Sequence, residues 1–470
     1  MPLVAGVDSS TTACKVVVRD VDTGAVVGSG RAPHPPTSPP RSEQHPRDWE
    51  AALVAACAQA GVRDTHRPET LSIAAQQHGL VVLDHDGEVL RPAKLWNDTE
   101  SAPDARELVA SLPGGAAGWA TACGSVPTAA FTVSKLHWIS RCEPEVLRRT
   151  ARVLLPHDWL TFRLTGRPAT DRGDASGTGY WSPREGAYRD DLLALVGDDV
   201  DWATALPEVL APDDVAGEWE GPGIRIGPGT GDNMAAALAL GLRPGDLVLS
   251  FGTSGTAFTV RDEPAADPTG AVAGFADATG RYLPLVCTLN ASKVTDATAR
   301  LLGVDLERFD TLALAAPTGA GGLVLVPHFD GERTPNRPDA RGVLTGLRSD
   351  VTPAHLARAA VEGVVCNLLA GAEGLGRTDG RAFLIGGASR SAAYRRVVAD
   401  LTGRAIVVPS ADELVAAGAA VQAAGIYLRC DFTDVSEAWG LGEGEVVEPD
   451  PSVDAGAVHE AYADAVAGFA

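Results

Sequence analysis

The feature that most constrains the fold is a strand–turn–strand arrangement that occurs twice, about 240 residues apart. In the first copy, apolar segments at 3–7 and 15–19 flank a turn of acidic and hydroxyl residues at 8–12. In the second copy, apolar segments at 247–251 and 255–260 flank a Gly-Thr-Ser turn. Duplication on this scale predicts two related halves, and we expect the two hairpins to hold a polyphosphate between two lobes.

A glycine-rich loop at 227–231 delivers Asp232 to the start of an apolar, alanine-rich helix at 234–240. Glycine permits positive φ angles and lets a ligand approach the backbone closely. A carboxylate at the head of a helix is stabilised by the free N–H groups and by the helix dipole. On this feature alone Asp232 is more readily a helix N-cap than a catalytic base, and both interpretations stay open.

The length of 470 residues predicts two domains. The best boundary is the segment 241–246, where glycine and proline lie between a helix and the second hairpin. We therefore predict domains at 1–242 and 243–470.

Charge and composition exclude several classes of partner. A net charge of −22 disfavours nucleic acid and anionic membrane surfaces. No apolar run reaches the roughly 20 residues that span a bilayer, and the N-terminus shows no signal peptide. The seven cysteines contain no C-x-x-C pair, so we expect buried, reduced thiols in a cytoplasmic protein, without disulfides or a zinc site.

Two candidate binding segments follow apolar strands. Residues 71–75 lead into Gln77 and His78, and ligands of α/β proteins bind at the carboxyl ends of strands. Gly386 and Gly387 separate another strand from a helix, which permits the close approach of a flat ring or a phosphate. Neither a G-x-G-x-x-G fingerprint nor a strict P-loop is present.

A third candidate segment is Trp96-Asn97-Asp98, which places an aromatic wall beside an amide and a carboxylate. That combination suits a polyhydroxylated ligand. The alternative is a core tryptophan followed by a helix cap, and His78 is equally readable as a turn histidine with satisfied hydrogen bonds.

Several short motifs occur in a characteristic order along the chain. They are Asp8, Gln77-His78-Gly79, Leu95-Trp96-Asn97-Asp98, Gly231-Asp232-Asn233, Gly252-Thr253-Ser254-Gly255, Gly331-Glu332-Arg333-Thr334-Pro335 and Gly386-Gly387. Over essentially the whole chain they resemble the FGGY family of carbohydrate kinases, and most closely its xylulose-phosphorylating members. The run at 342–347, followed by 359–362, is similar to the family's C-terminal signature. Gln77 stands where those members have methionine, which adds a donor and an acceptor beside the sugar.

The resemblance implies an α/β protein with two actin-like (ribonuclease H-like) lobes of the sugar kinase/Hsp70/actin superfamily and a central cleft. The N-terminal lobe, 1–242, would bind the sugar and carry the first phosphate hairpin. The C-terminal lobe, 243–470, would bind the nucleotide. The implied cofactors are ATP and Mg²⁺.

The family's functional residues map onto matching positions of this chain. Asp232 resembles the general base, and Asp8 resembles the carboxylate that positions Mg²⁺ directly or through water. The implied sugar-binding residues are Gln77, His78, Trp96, Asn97, Asp232 and Asn233. The implied nucleotide-binding residues are Thr11, Lys15, Gly252, Thr253, Ser254, Gly386, Gly387 and Ser389.

The expected activity is the ATP-dependent phosphorylation of D-xylulose to D-xylulose 5-phosphate. One alternative is a kinase for another ketose or a polyol, of the ribulose, arabitol or glycerol type. A more distant alternative is a nucleotide-binding member of the superfamily without kinase activity, because a fold alone does not decide function. The expected partners are a sugar and ATP, with no nucleic acid and no membrane. A homodimer is one expectation for the assembled protein, because dimers are common in the family.

Overall fold

A computed structural model of the chain describes residues 1–468, which form two compact units. The first unit comprises residues 1–242 together with 261–283 and 411–442. The second unit comprises 243–260, 284–410 and the residues from 443 onward. Each unit contains a mixed β-sheet, and the two are described separately below.

The helices begin and end as follows. They are α1 (Pro46–Gln59), α2 (Ala102–Ser111), α3 (Gly115–Cys123), α4 (Thr132–Cys142), α5 (Pro144–Arg149), α6 (Pro156–Thr165), α7 (Arg172–Ser176), α8 (Asp190–Leu193), α9 (Trp202–Ala205), α10 (Asp232–Ala239), α11 (Ser292–Leu302), α12 (Leu306–Ala315), α13 (Pro353–Ala372), α14 (Ala392–Thr402), α15 (Leu414–Leu428), α16 (Phe432–Ala438) and α17 (Ala455–Ala467). Short 3₁₀ turns occupy Ala320–Gly322, Glu373–Leu375 and Gly387–Arg390.

The strands follow the same numbering. They are β1 (Leu3–Ser9), β2 (Ala13–Asp20), β3 (Val26–Pro33), β4 (Glu43–Gln44), β5 (Thr70–Ala75), β6 (Val81–Leu83), β7 (Ala93–Lys94), β8 (Arg152–Leu154), β9 (Ala169–Asp171), β10 (Trp181–Ser182), β11 (Ala187–Tyr188), β12 (Glu208–Leu210), β13 (Gly217–Trp219), β14 (Ile224–Ile226), β15 (Thr230–Gly231), β16 (Leu247–Phe251), β17 (Gly255–Thr259), β18 (Ala273–Ala276), β19 (Tyr282–Thr288), β20 (Val324–Val326), β21 (Val343–Thr345), β22 (Ala382–Ile385), β23 (Ile406–Pro409) and β24 (Gly444–Val447).

The sheet of the first unit has the order β13-β14-β5-β1-β2-β3, and β15 also pairs with β5. Strands β1 and β2 form the first predicted hairpin, with Asp8 opposite Lys15. Strands β1, β14 and β15 all run parallel to β5. The apolar side chains of β1 and β5 are buried, as expected for parallel strands covered on both faces. On one face they pack in a core with Trp49 of α1 and Trp159 of α6.

Helix α15 covers the other face of this sheet and approaches it very closely. A Cβ atom added to Gly6 of β1 would lie 2.0 Å from the carbonyl oxygen of Ala416. A Cβ atom added to Gly418 would lie 1.7 Å from the carbonyl oxygen of Ala235 in α10. Side chains larger than hydrogen therefore do not fit at these two positions, and the small residues of this helix permit its close packing on the sheet.

The sheet of the second unit contains the strand order β19-β17-β16-β22-β23-β24. Strands β16 and β17 form the second predicted hairpin, and β16 runs parallel to β22. The order β22-β16-β17-β19 repeats the order β5-β1-β2-β3 of the first unit, with the same pattern of parallel and antiparallel pairs. The duplication predicted from the two hairpins is therefore confirmed at the level of topology.

The seven cysteines are all free, as predicted. Five of them are buried, but Cys142 and Cys430 are exposed, so the expectation of uniformly buried thiols is wrong. Cys142 is the last residue of α4, and Cys430 lies beyond the C-terminal end of α15. Helix ends face solvent more often than helix centres do, which accounts for the difference. Among residues 1–468, no helix is both long enough and apolar enough to cross a membrane.

Candidate active site

Three strands of the first unit end side by side and bring together several of the predicted site residues. Because β1 and β15 both run parallel to β5, their carboxyl ends lie at one edge of the sheet. Asp8 lies at the end of β1, Gln77 and His78 follow β5, and Asp232 follows β15. This is the edge at which α/β proteins bind their ligands.

Asp8 is buried and is held by its neighbours in the hairpin. The hydroxyl of Ser10 donates a hydrogen bond to Asp8 Oδ1, and the Lys15 ammonium lies 3.4 Å from Asp8 Oδ2. Burial raises the pKa of Asp8 above its ordinary value, although Lys15 and Ser10 act in the opposite direction. Lys15 also pairs with Glu413 at 2.6 Å, a partner that no local sequence pattern predicts.

Asp232 is the first residue of α10, and Gly231 occupies the N-cap position, so the N-cap interpretation of Asp232 is wrong. Its Oδ1 accepts hydrogen bonds from the backbone N–H of Asn233 at 2.8 Å and from Asn233 Nδ2 at 2.9 Å. The residue as a whole is half-buried. Burial, followed by the nearby charge of Asp8, raises the pKa of Asp232 to about 7.

The side-chain amide of Asn233 links Asp232 to Gln77. Besides its bond to Asp232, Asn233 Nδ2 donates to Gln77 Oε1 at 3.0 Å. Gln77 Nε2 is buried and finds no acceptor among the described residues. Gly231 makes this proximity possible, because a Cβ atom there would lie 2.7 Å from Gln77 Cγ. The arrangement offers one unused amide donor beside the aspartate.

His78 is held by an aromatic pair and by a backbone carbonyl. Its ring contacts Phe131 and Phe275 at centroid distances of 4.9 and 5.5 Å, and the two phenylalanine rings also contact each other at 6.2 Å. His78 Nδ1 lies 2.6 Å from the carbonyl oxygen of Gly177, which can only accept, so Nδ1 carries the proton. The residue itself has a φ of 65°, a left-handed conformation that is uncommon outside glycine. The sequence interpretation missed both phenylalanines and Gly177, which are distant along the chain.

Trp96 and Thr11 meet through a direct hydrogen bond. Trp96 Nε1 donates to Thr11 Oγ1 at 2.9 Å, and Thr11 Oγ1 donates to Gln76 Oε1 at 3.2 Å. Asn97 follows with its Oδ1 buried and without a donor among residues 1–468. The turn of the first hairpin and the Trp96 segment therefore form one connected surface in the first unit.

A buried lysine anchors the segment that carries Trp96. Lys94 is fully buried, and its ammonium lies 3.3 Å from Glu43, 3.2 Å from Asp98 and 2.5 Å from Glu100. The indole ring of Trp138 lies over the same ammonium at 4.0 Å. The three carboxylates lie close enough together to resemble a metal site. The buried ammonium already supplies their countercharge, so the cluster is structural.

The second unit brings together the remaining predicted residues. Residues 252–254 form the turn after β16, and Gly386 follows the adjacent parallel strand β22. Gly386 has a φ of 86°, and a Cβ atom there would lie 2.7 Å from the carbonyl oxygen of Phe251. Nothing lies within 4 Å of the corresponding position at Gly387, and the Ser389 hydroxyl donates to the Gly386 carbonyl at 2.8 Å. Two open glycine-containing turns thus lie at one sheet edge.

Two family models match this chain. Residues 3–238 match the N-terminal domain of the FGGY family of carbohydrate kinases, and residues 247–425 match its C-terminal domain. The chain therefore belongs to the FGGY family of carbohydrate kinases.

Individual relatives agree with this assignment. The chain is 48% identical over 458 residues to the xylulose kinase of Streptomyces rubiginosus, covering 95% of this chain and 92% of the relative. It is 34% identical over 422 residues to the xylulose kinase of Escherichia coli, covering 85% and 84%. The crystal structure of xylulose kinase from Bifidobacterium adolescentis superimposes with a TM-score of 0.87 at 40% identity and covers 99% of both chains.

These likenesses confirm the predicted fold class, the α/β actin-like fold of the sugar kinase/Hsp70/actin superfamily, and they define a carbohydrate kinase. They do not favour a nucleotide-binding protein without kinase activity.

Proposed function

We propose that this chain transfers the γ-phosphoryl group of ATP to the 5-hydroxyl of D-xylulose, giving ADP and D-xylulose 5-phosphate. The observation that carries the proposal is the environment of Asp232. A carboxylate with a pKa near neutrality lies among Gln77, Asn233 and His78 at the ligand-binding edge of the sheet. The names of the relatives at 48% and 40% identity, both xylulose kinases, support xylulose as the sugar.

Asp232 acts in this proposal as the general base. Its carboxylate takes the proton of the 5-hydroxyl while the sugar oxygen forms a bond to the γ-phosphorus and the bond to the leaving ADP oxygen breaks. A base works best when its pKa is close to the working pH, and the value of about 7 satisfies that condition. Asn233 holds Oδ1 through two hydrogen bonds, which fixes the orientation of the carboxylate.

The remaining polar groups of the same edge are proposed to bind the ketose. Gln77 Nε2 and Asn97 Oδ1 are a buried donor and a buried acceptor without partners among the described residues, so sugar hydroxyls would satisfy both. Trp96 would form an apolar wall for the sugar carbons. His78 is also assigned to sugar binding, with its ring orientation fixed by the hydrogen bond from Nδ1 to Gly177.

The nucleotide is proposed to bind at the open turns. In the second unit, the residues assigned to this role are Gly252, Thr253, Ser254, Gly386, Gly387 and Ser389. In the first unit, Thr11 and Lys15 of the first hairpin are assigned to phosphate contacts. Backbone N–H groups of glycine-containing turns suit phosphate oxygens, and Gly387 leaves room for a flat ring. We assign nucleotide binding to the domain 243–470 and sugar binding to 1–242.

Asp8 is proposed to hold Mg²⁺, directly or through water. Its donor set fits that ion, because Mg²⁺ prefers one or two carboxylates together with phosphate and water oxygens. When bound, Mg²⁺ would neutralise charge on the phosphate oxygens. Lys15 and Ser10 hold the Asp8 carboxylate in place on the hairpin.

We place the reaction in the cytoplasm, where ATP is available and where free thiols such as those of this chain stay reduced. The homodimer expected from the family resemblance stays a prediction.

A coupled ADP-release assay tests the proposed function. The panel comprises D-xylulose, D-ribulose, L-ribulose, L-xylulose, xylitol, D-arabitol, glycerol and gluconate, with a control without sugar. We expect D-xylulose to give the highest kcat/KM and the Asp232→Asn variant to abolish its turnover. A clear preference for another sugar would overturn the substrate assignment, and an absence of sugar-dependent ADP release would overturn the proposed reaction.

A further inference from the structure

A fully buried histidine lies behind the Asp232 loop and takes no part in the function proposed above. His157 is on the first turn of α6 and has no exposed surface. Its Nε2 lies 3.0 Å from Asp171 Oδ1 and 3.4 Å from Asp174 Oδ2, and its Nδ1 lies 3.2 Å from Asp158 Oδ1. Three carboxylates around one imidazole form an uncommon buried charge cluster.

The imidazole of His157 is the cation of this cluster. Burial lowers the pKa of His157, but the charges of Asp158, Asp171 and Asp174 outweigh that effect and raise it to about 10. The ring therefore carries a positive charge at neutral pH. Burial raises the pKa of Asp174 well above its ordinary value, although His157 lowers it. Because the imidazole is charged, the hydrogen bond from His157 Nε2 to Asp171 is charge-assisted.

Asp171 connects the buried histidine to the loop that carries Asp232. Its Oδ2 accepts a hydrogen bond from the Thr230 hydroxyl at 2.8 Å and another from the Gly173 N–H at 2.8 Å. Thr230 begins β15, which pairs with Ala74 and Ala75 of β5 and leads directly into Asp232. The hydroxyl of Thr230 is therefore a side-chain tether only two residues from the proposed base.

The same aspartate also organises the turn that orients His78. Asp171 caps the short helix α7 by accepting the N–H groups of Gly173 and Asp174 at 2.8 and 3.0 Å. The residue that follows this helix, Gly177, accepts the bond from His78 Nδ1 at 2.6 Å. Helix α7 thus connects Asp171 to His78, a residue proposed to bind the sugar.

Close packing leaves this arrangement little freedom. A Cβ atom on Gly229 would lie 3.1 Å from His157 Nδ1, and one on Gly173 would lie 3.1 Å from Thr230 Oγ1. A Cβ atom on Gly177 would lie 2.8 Å from the ring of His78. The buried cluster, the Asp232 loop and His78 are therefore in direct contact, so a displacement of one is transmitted to the others.

We propose that His157, Asp171 and Thr230 are positioning residues for phosphoryl transfer, holding the Asp232 loop through the Thr230 hydroxyl and His78 through α7. This inference rests on the proposed function of Asp232. The role is positional because none of the three is assigned a contact with sugar or nucleotide. Displacing an active-site group by about 1 Å can lower the reaction rate by about 100-fold. Loss of the hydrogen bond from Thr230 to Asp171 is therefore expected to lower kcat.

The test compares two variants of Thr230 with one matched control. Thr230→Val keeps the shape of the side chain and removes the hydroxyl, whereas Thr230→Ser keeps the hydroxyl. We expect Thr230→Val to lower kcat for D-xylulose by about tenfold or more while KM changes by less than about threefold. We expect Thr230→Ser to recover most of the lost kcat. Thr298→Val removes a different buried hydroxyl, which donates to the backbone carbonyl of Val294 at 2.8 Å, and should leave kcat unchanged.

A purely structural role would give a different result. Thr230→Val would then lower the melting temperature without a selective loss of kcat, or Thr230→Ser would fail to recover activity, and either result overturns the proposal. If the wild-type protein itself shows no turnover of D-xylulose, the proposed function fails instead.

His157→Gln provides a second and independent measurement, because glutamine keeps an N–H donor but loses the positive charge. Among preparations that remain folded by circular dichroism, we expect a lower kcat with sugar binding retained in calorimetry. An unchanged kcat in folded His157→Gln would overturn the part of the proposal that concerns the histidine.

Discussion

The indole N–H of Trp96 donates a hydrogen bond to Thr11 Oγ1 at 2.9 Å. One residue lies in the segment proposed to bind the sugar, and the other lies in the turn of the first hairpin, proposed to contact phosphate. Thr11 in turn donates to Gln76, which follows the central strand β5. The two proposed subsites are thus connected by side chains in the first unit. A substitution in one subsite is therefore expected to alter ligand binding at the other.

The first prediction concerns this connection. Trp96→Phe keeps an aromatic wall but removes the indole donor, so the ring loses its anchor on Thr11. A hydrogen bond of this kind contributes about 1 kcal/mol, and we expect KM for D-xylulose to rise about fivefold. Thr11→Val should raise KM for D-xylulose by a similar factor. In the double variant, KM should be only slightly higher than in the single variant with the higher KM. Steady-state kinetics on the four proteins, including wild type, measures this coupling.

Trp202→Phe is the matched control, because Trp202 Nε1 also donates a hydrogen bond, here to the backbone carbonyl of Gly197 at 3.1 Å, and the residue is not assigned to either subsite. Its KM should equal that of wild type. Fully additive effects of Trp96→Phe and Thr11→Val would show that the hydrogen bond does not couple the two residues.

The second prediction concerns the proposed base. Asp232→Asn keeps the size of the side chain, but an amide cannot accept the proton of the sugar hydroxyl. We expect kcat to fall by about 10²–10⁴-fold, while calorimetry shows that D-xylulose still binds. Asp22→Asn, at an exposed turn of the same unit, serves as the control. Near-normal turnover by Asp232→Asn would exclude this residue as the base.

The third prediction is a pH profile. Asp232 must be ionised to accept a proton, and burial together with Asp8 raises its pKa to about 7. The value of kcat/KM should therefore rise with pH through about 7 and level off above it. The hydrogen bond from the Asn233 side chain lowers this pKa, so Asn233→Ala should move the rise to higher pH. A profile that is flat between pH 5 and pH 8 would contradict the assignment.

The fourth prediction links the same pKa to stability. The pKa of Asp232 rises from 3.8 in the unfolded chain to about 7 in the folded one. Between these values folding takes up a proton, so the carboxylate makes the folded state progressively less stable as pH rises through this window. Asp232→Asn removes that penalty. Scanning fluorimetry should show a melting temperature a few degrees above wild type at pH 8 and little difference at pH 4.

A melting temperature gain of equal size at both pH values would mean that the amide stabilises the protein for some reason other than ionisation. The exposed Asp22→Asn variant should show no gain at either pH.

The fifth prediction concerns Mg²⁺ and Asp8. Asp8→Asn removes the negative charge that the ion would meet and leaves the side-chain volume unchanged. We expect the half-saturating Mg²⁺ concentration to rise about tenfold at saturating ATP and D-xylulose. Calorimetric titration of MgADP should weaken as well, which provides a readout independent of turnover. An unchanged Mg²⁺ requirement in both measurements would remove Asp8 from the proposed metal site.

The sequence predicted the parts of the site that depend on local pairing. Asp8 and Lys15 lie opposite each other because they are equivalent positions on the two strands of one hairpin, and register follows from the turn. Gln77 could be placed at a strand end because strands and helices alternate along the chain. Asp232 could be placed at the start of a helix because a glycine-rich loop precedes an apolar segment, but the short strand β15 within that loop was not predicted. The duplicated hairpin likewise predicted the repeated strand order of the two sheets.

Contacts between residues distant in sequence could be decided only by the tertiary structure. The Asn233 bridge from Asp232 to Gln77 spans 156 residues, and the bond from His78 to Gly177 spans 99. Glu413 reaches Lys15 because α15 packs on the first sheet. The hydrophobic periodicity of the sequence does not predict which sheet this helix covers. The direction of each pKa shift also could not be predicted from the sequence, because it depends on how much water and which charges surround a group after folding.

What the sequence by itself determined is therefore the family, the kind of fold and the set of candidate site residues. The tertiary structure decided which side chains touch, which donors remain unused and why Asp232 titrates near neutrality. The physical reason is that secondary structure follows from the periodicity of neighbouring residues, whereas desolvation and hydrogen bonding at the site come from segments that meet only when the chain packs.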